Sequence, residues 1–189
     1  LEGIILAGGY SSRLERNKMT LLFNNKPIIC NVIDAMKVHC NKIIVVTGHY
    51  HDEIEKAVEK YDEVKVVKNE EYHLGMFSSV KTGVKEIKSD FFLTPGDYPL
   101  IKPETYKRLI EETGVIRVPT FNKRKGHPIF ISKALIDSLN KEPVDSNLKI
   151  FRDRHIVNYV ETDDKGILID VDTIGDYEYL KGIKERNDI

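Results

Sequence analysis

Short apolar runs recur along the first two thirds of the chain: Gly3 to Ala7, Ile43 to Thr47, Val64 to Val67, Phe91 to Thr94 and Val115 to Pro119. They are rich in β-branched or aromatic residues and read as buried strands. Between them, Pro27 to Val38, Asp52 to Tyr61, Ser78 to Ile87 and Pro103 to Glu112 carry apolar residues at helical spacing. Pro27 and Pro103 suit the first turn of a helix, where a missing N–H is no loss. Strand and helix in alternation predict βαβ units, and so an α/β fold with a mostly parallel central sheet and helices on both faces.

Past residue 120 the rhythm changes. Pro128 to Ile131 reads as a strand, Lys133 to Leu139 and Leu148 to Arg152 as helices, Ile156 to Val160 and Leu168 to Val171 as strands, with a last helix from about Thr173. No Pro/Gly/Ser-rich linker separates this part from the first, so residues 1–189 are expected to form a single domain, 120–189 being a substrate-covering extension of 1–119.

Composition narrows the class. Hydrophobic residues make up 41% and charged residues 31% of the 189, as in an ordinary globular chain. No apolar run approaches the roughly 20 residues a bilayer span needs, so no membrane partner is expected. The formal charge is −1 with cations scattered, which argues against a nucleic-acid surface. The local cluster Lys123, Arg124, Lys125 fits either a solvated loop or an anion-binding edge. Cys30 and Cys40 make no CxxC pair, and the chain opens on Leu1-Glu2-Gly3 without the charged and apolar regions of a signal peptide. A reducing, cytoplasmic setting is the expectation.

The first strand runs into Leu6-Ala7-Gly8-Gly9-Tyr10-Ser11-Ser12-Arg13, followed by Lys18. Paired glycines let backbone amides approach phosphate oxygens, Ser11 and Ser12 add donors, and Arg13 and Lys18 can neutralise a triphosphate. The spacing fits neither a GxxxxGK[ST] loop nor a dinucleotide GxGxxG. A tight β-to-α turn with incidental cations is the alternative. Farther on, the stretch Asn69-Glu70-Glu71-Tyr72-His73-Leu74-Gly75-Met76-Phe77-Ser78-Ser79-Val80 offers a glycine, Gly75, that lets the chain approach a flat base and two serines able either to cap a helix or to donate to a ligand. Asp97, in Pro95-Gly96-Asp97-Tyr98-Pro99, stands just past a strand end, where α/β sheets bind ligands and where an oxygen ligand suits Mg²⁺; an Asx turn is the structural alternative. Asp170 and Asp172 share a face if Leu168 to Val171 is a strand, unless Asp172 or Thr173 caps the last helix instead.

LAGGYSSRLERNK, the Gly-Met-x-Ser-Ser segment, Gly96-Asp97-Tyr98-Pro99, Gly126-His127-Pro128 and Asp170-Val171-Asp172-Thr173 together resemble the motifs of MobA/MocA-like nucleotidyltransferases, which build molybdenum-cofactor dinucleotides, and of their sugar-phosphate relatives. Glu15 departs from the glycine usual in that first motif, and Ile174 and Gly175 from the usual Pro-Glu. Asp145 and Arg152 lie where relatives often carry a Gly-Asp and an Arg, though without the glycines here.

The resemblance implies a Rossmann-like, GT-A-like domain with a nucleotide-binding part, 1–119, and an acceptor-covering part, 120–189. It implies transfer of a nucleoside monophosphate from an NTP to a phosphorylated acceptor such as molybdopterin, with Mg²⁺ as cofactor. CTP is favoured by the middle segments and GTP remains possible from the Leu-Ala-Gly-Gly start. Arg13, Lys18 and Asp97 are then catalytic, Leu6, Ala7, Gly8, Gly9, Ser11, Gly75, Ser78 and Ser79 bind nucleotide, Asp97 and Asp172 hold the metal, and His127 borders the acceptor. A sugar-1-phosphate nucleotidyltransferase and a non-catalytic nucleotide-binding protein are the alternatives.

Overall fold

The computed structural model describes residues 1–10 and 17–186. In chain order, β1 (Glu2–Ala7) is followed by a 3-10 turn (Lys18–Thr20), a hairpin of β2 (Leu22–Phe23) and β3 (Lys26–Pro27), α1 (Ile28–Met36), β4 (Lys42–Thr47), α2 (His51–Val58) and β5 (Val64–Lys68). A second 3-10 turn (Tyr72–Leu74) leads to α3 (Met76–Val84), β6 (Phe91–Pro95), α4 (Pro103–Glu111), β7 (Ile116–Phe121), β8 (Arg124–Lys125) and β9 (Ile129–Ile131). The chain closes with α5 (Ile136–Lys141), α6 (Leu148–Asp153), β10 (Val157–Glu161), a 3-10 turn (Lys165–Leu168) and α7 (Ile174–Arg186).

The main sheet runs β10-β7-β9-β6-β1-β4-β5, with β8 appended to β7. Strands β6, β1, β4 and β5 pair in parallel, as do β7 and β10, whereas β9 and β8 run against their neighbours. In register, Ile4 lies between Ile44 and Leu93. Alternation along β1 and β4 divides the core: Ile5, Ala7, Ile43 and Val45 pack with α1 and α2, while Ile4, Leu6, Ile44 and Val46 pack with α3. Both faces of these strands are covered, which is why they read as unbroken apolar runs. Each large aliphatic side chain so buried contributes about 1.5–3 kcal/mol. A third cluster, Phe23, Ile28, Leu100, Val171, Leu180 and Ile183, fixes α7 against the hairpin and the chain beyond β6.

Two sequence expectations change, those at Pro27 and at Leu168 to Val171. Pro27 ends β3 and precedes α1 as its N-cap instead of occupying the first turn. The cause is the turn Asn24–Asn25, both at positive φ (53° and 60°), which folds the preceding residues into a hairpin. Leu168 to Val171 is not a strand: a 3-10 turn, capped by the Asp164 carboxylate accepting from the Gly166 N–H, ends at Leu168, and the following residues have no sheet partner among the described residues. Lys123, Arg124 and Lys125 belong to a solvent-facing hairpin in which the Lys125 ammonium donates to the Tyr159 hydroxyl at 2.8 Å. Among the described residues no helix is long and apolar enough to cross a membrane. Cys30 and Cys40 are buried free thiols.

Candidate active site

From β1 the chain steps to β4 and β5 on one side and then returns to β6 on the other. A crevice therefore opens beyond the carboxyl ends of β1 and β6, the switch point at which such sheets bind ligands. Gly8, Gly9 and Tyr10 follow β1 into this crevice, and Asp97 stands two residues past β6. The two turns are stitched by the Gly96 N–H donating to the Leu6 carbonyl at 2.9 Å. A Cβ on Gly8 would lie 2.9 Å from Ser79 Oγ, so glycine is what lets the first turn sit on α3. The cleft, of about 270 Å³, is lined by Leu6, Gly8, Gly9, Lys18 and Asp97 on one side and by Tyr72, Gly75 and Ser79 on the other.

Lys18 opens the 3-10 turn that Asn17 caps through its side-chain oxygen. Its ammonium donates to Asp97 Oδ2 at 2.5 Å and to Asp172 Oδ1 at 2.6 Å. Burial works against the lysine's charge, but the two carboxylates outweigh it and hold its pKa above the ordinary value. Asp97 is 7% exposed; burial pushes its pKa up and Lys18 opposes the rise. Asp97 Oδ1 is buried without a hydrogen-bond partner among the described residues.

Oxygens of Asp97, Asp170 and Asp172 lie within 4.8 Å of one another. No strand aligns the last two. Instead the Val171 N–H donates to the Asp97 carbonyl at 3.0 Å, pinning the segment beside Asp97 with an acid on either side of Val171. Capping of α7 falls to Thr173: its hydroxyl accepts from the Asp176 N–H at 3.2 Å, while Asp176 Oδ2 accepts from the Thr173 N–H at 2.7 Å, a reciprocal capping box. The carboxylate of Asp172 is thereby left to face Lys18. Burial and the neighbouring Asp172 raise the pKa of Asp170, and burial together with Asp170, Asp97 and Asp172 raises that of the Tyr98 phenol. Three oxygen donors with one orphaned buried oxygen fit a hard divalent cation such as Mg²⁺ or Mn²⁺.

Gly75, at φ +99°, turns the chain into α3. Ser78 and Ser79 lie inside the helix, where the Asn69 amide donates to both hydroxyls at 2.8 and 3.0 Å. Ser78 Oγ further reaches the carbonyls of Gly75 at 2.8 Å and Glu71 at 3.0 Å, so it braces the helix start, whereas Ser79 lines the cleft. Ala7 contributes its methyl group to the core. His127 packs its ring on Tyr98 at 4.9 Å, and its Nδ1 is buried without a partner among the described residues. Burial, aided by the nearby Arg152 charge, pushes its pKa down to about 4. Asp145 is exposed. Ser11, Arg13 and Glu15 lie outside the described residues.

Sequence reasoning gave no individual role to the clamp Asn69 or to the cleft residues Tyr10, Tyr72, His73 and Met76, although each lies inside one of the two motif stretches. The motifs placed these residues near the ligand, but Asn69's hold on two serines and the meeting of the rings are loop packing, which has no period to read. A separate hollow of 320 Å³ between Lys102, Arg108 and Glu161–Asp164 shares no lining residue with the cleft. Its buried acid, Asp164, is engaged by the Lys102 N–H, the Thr105 hydroxyl and the Gly166 N–H, which makes it a brace for α4 and the 3-10 turn.

Comparison with known proteins gives the family. Residues 3–159 match the MobA-like NTP transferase domain family. The molybdenum cofactor cytidylyltransferase of Escherichia coli is 28% identical over 183 residues, covering 94% of this chain and 93% of the relative. Two solved structures share the fold. One is a nucleotidyl transferase from Methanothermobacter (TM-score 0.83, 22% identity, 98% of both chains) and the other a Mycobacterium tuberculosis protein in complex with manganese (TM-score 0.76, 22% identity, 95% of this chain and 96% of that one). With the family matched over most of its length and the acids and the glycine turn meeting at the switch point, this chain belongs to the MobA-like NTP transferase domain family and is a nucleotidyltransferase.

Proposed function

We propose that this enzyme binds an NTP, CTP in preference to GTP, and transfers its nucleoside monophosphate to a phosphorylated acceptor of the molybdopterin type. The observation that carries this reading is the convergence of Asp97, Asp170 and Asp172 on Lys18 beside the Gly8–Gly9 turn. CTP is favoured because the Escherichia coli relative, aligned over almost the whole chain, is a cytidylyltransferase.

A terminal phosphate oxygen of the acceptor attacks the α-phosphorus of the NTP in line, the α–β bridge breaks, and pyrophosphate leaves. The attacking oxygen is already ionised, so the protein supplies position and charge rather than a nucleophile. The glycine turn presents backbone amides to the phosphates, with Ser11 and Arg13 assigned to the same group from their place in the motif. Lys18, held charged by its carboxylates, neutralises the developing negative charge. Asp97 and Asp172, with Asp170 beside them, would hold Mg²⁺, which supplies charge neutralisation at the reacting phosphate. His127, neutral at pH 7, offers the acceptor a hydrogen-bonding ring and no charge.

Thermal unfolding with CTP, GTP, ATP and UTP, each with and without Mg²⁺, tests this without knowledge of the acceptor. At 100 times its Kd, CTP with Mg²⁺ is expected to add about 2.7 kcal/mol, and Asp97→Ala to remove the metal-dependent part. The reading is abandoned if none of the four stabilises the protein; a larger shift with GTP reassigns the base.

A further inference from the structure

Three loops that leave the carboxyl ends of adjacent strands bring their rings together, two of them at one corner of the cleft and the third beside those two. Tyr10 follows the glycine turn after β1, His49 follows β4, and Tyr72 opens the 3-10 turn after β5. Tyr10 and Tyr72, 62 residues apart in sequence, have ring centroids 5.3 Å apart at an interplanar angle of 57°. His49 stands behind them, 5.2 Å from Tyr10 and 6.2 Å from Tyr72, and is itself held edge-on by Tyr50 at 4.6 Å.

Gly48 fixes this corner. A Cβ there would lie 2.6 Å from the Gly8 carbonyl oxygen and 2.7 Å from Tyr72 Cβ, so only glycine allows the phosphate-side turn and the Tyr72 ring to close on each other. Yet the rings are not buried: Tyr10 is 48% exposed, and Met76 at the same lip is 67% exposed. Both tyrosines line the cleft that also contains Lys18 and Asp97. A rigidly seated, water-facing aromatic surface next to a phosphate-binding turn offers a flat π-system the stacking contact it lacks in water.

We propose that Tyr10 and Tyr72, positioned by His49 and Gly48, form the wall against which the nucleobase stacks; this rests on the nucleotide reading above. Because every base presents a π-face, the wall tightens all nucleoside triphosphates alike and leaves the choice of base to polar groups at the ring edge.

Calorimetric titration of the full chain with CTP, GTP and inorganic tripolyphosphate, each with Mg²⁺, tests it in the wild type, Tyr10→Leu, Tyr72→Leu and the matching Phe variants. Half exposed, Tyr10 is replaceable without disturbing the core. Each Leu variant is expected to bind CTP and GTP about tenfold more weakly, by the same factor for both, with tripolyphosphate unchanged and the Phe variants near wild type. The wall is refuted if both Leu variants hold CTP within about twofold of wild type, or if tripolyphosphate weakens in step with CTP. Failure of the wild type to bind any nucleotide overturns the nucleotide reading itself, and the wall with it.

Discussion

His127 is a histidine kept neutral by its surroundings. Its ring lies against Tyr98 with Nδ1 buried, and its pKa falls from the ordinary 6.5 to about 4. The unfolded chain therefore takes up a proton near pH 6.5 that the folded chain refuses until about pH 4, and stability falls as pH drops through that window. A shift of this size corresponds to roughly 3 kcal/mol by pH 4. Urea unfolding at intervals between pH 7 and pH 4 is expected to show this slope in the wild type and a flatter one in His127→Gln. Equal slopes would mean that the ring titrates as it does in water. Asp97 shows the opposite kind of legibility: its place after a strand and before Tyr98-Pro99 marked it in the sequence, but its orphaned Oδ1 and its contact with Lys18, 79 residues away, are properties of the folded crevice. Ser78 shows the limit of reading residue types, since one hydroxyl serves equally for a ligand or for the carbonyls of Glu71 and Gly75 that it meets here.

The short segment before α7 carries two acids toward Lys18 without belonging to a sheet, and one helix cap decides which of its side chains stay available. Thr173 and Asp176 cap each other, and the Asp172 N–H also donates to Asp176 Oδ2 at 3.1 Å. Thr173→Ala is expected to cost about 1 kcal/mol in urea unfolding and to weaken the Mg²⁺-dependent stabilisation by CTP. If stability falls but that stabilisation is intact, the cap supports α7 alone. The strands and helices of the first half were readable because doubly covered strands and amphipathic helices differ in period. Leu168 to Val171 misled for a related reason: Ile169 and Val171 alternate with Asp170 and Asp172 as in a strand, yet they pack toward Phe23 and Leu180 from a segment that pairs with no strand among the described residues. The hairpin before α1 had a readable signal, Asn24-Asn25, hidden by the brevity of its two-residue strands.

At the scale of the molecule, the change of rhythm at residue 120 raises the question of whether the two parts fold separately. β9 pairs with β6 on one side and with β7 on the other, and β10 extends the same sheet from β7. Core packing follows the same course: Phe91 and Leu93 from the first part share a cluster with Ile129, Ile131, Leu139 and Phe151 from the second. Without β9 the aromatic strand β6 would present a bare apolar edge, which folded proteins avoid. The two parts are thus predicted to unfold as one cooperative unit. Tyrosine emission and far-UV circular dichroism should give coincident urea transitions, the nine tyrosines lying in both parts of the chain. Hydrogen exchange is the sharper check, because amides of β4 and of β7 should share a single global opening free energy. Were the β7 amides to exchange through a separate, lower-energy opening, the acceptor-side part would be an independently unfolding unit, and the acids it contributes through Asp170 and Asp172 would assemble only after it docks on Asp97.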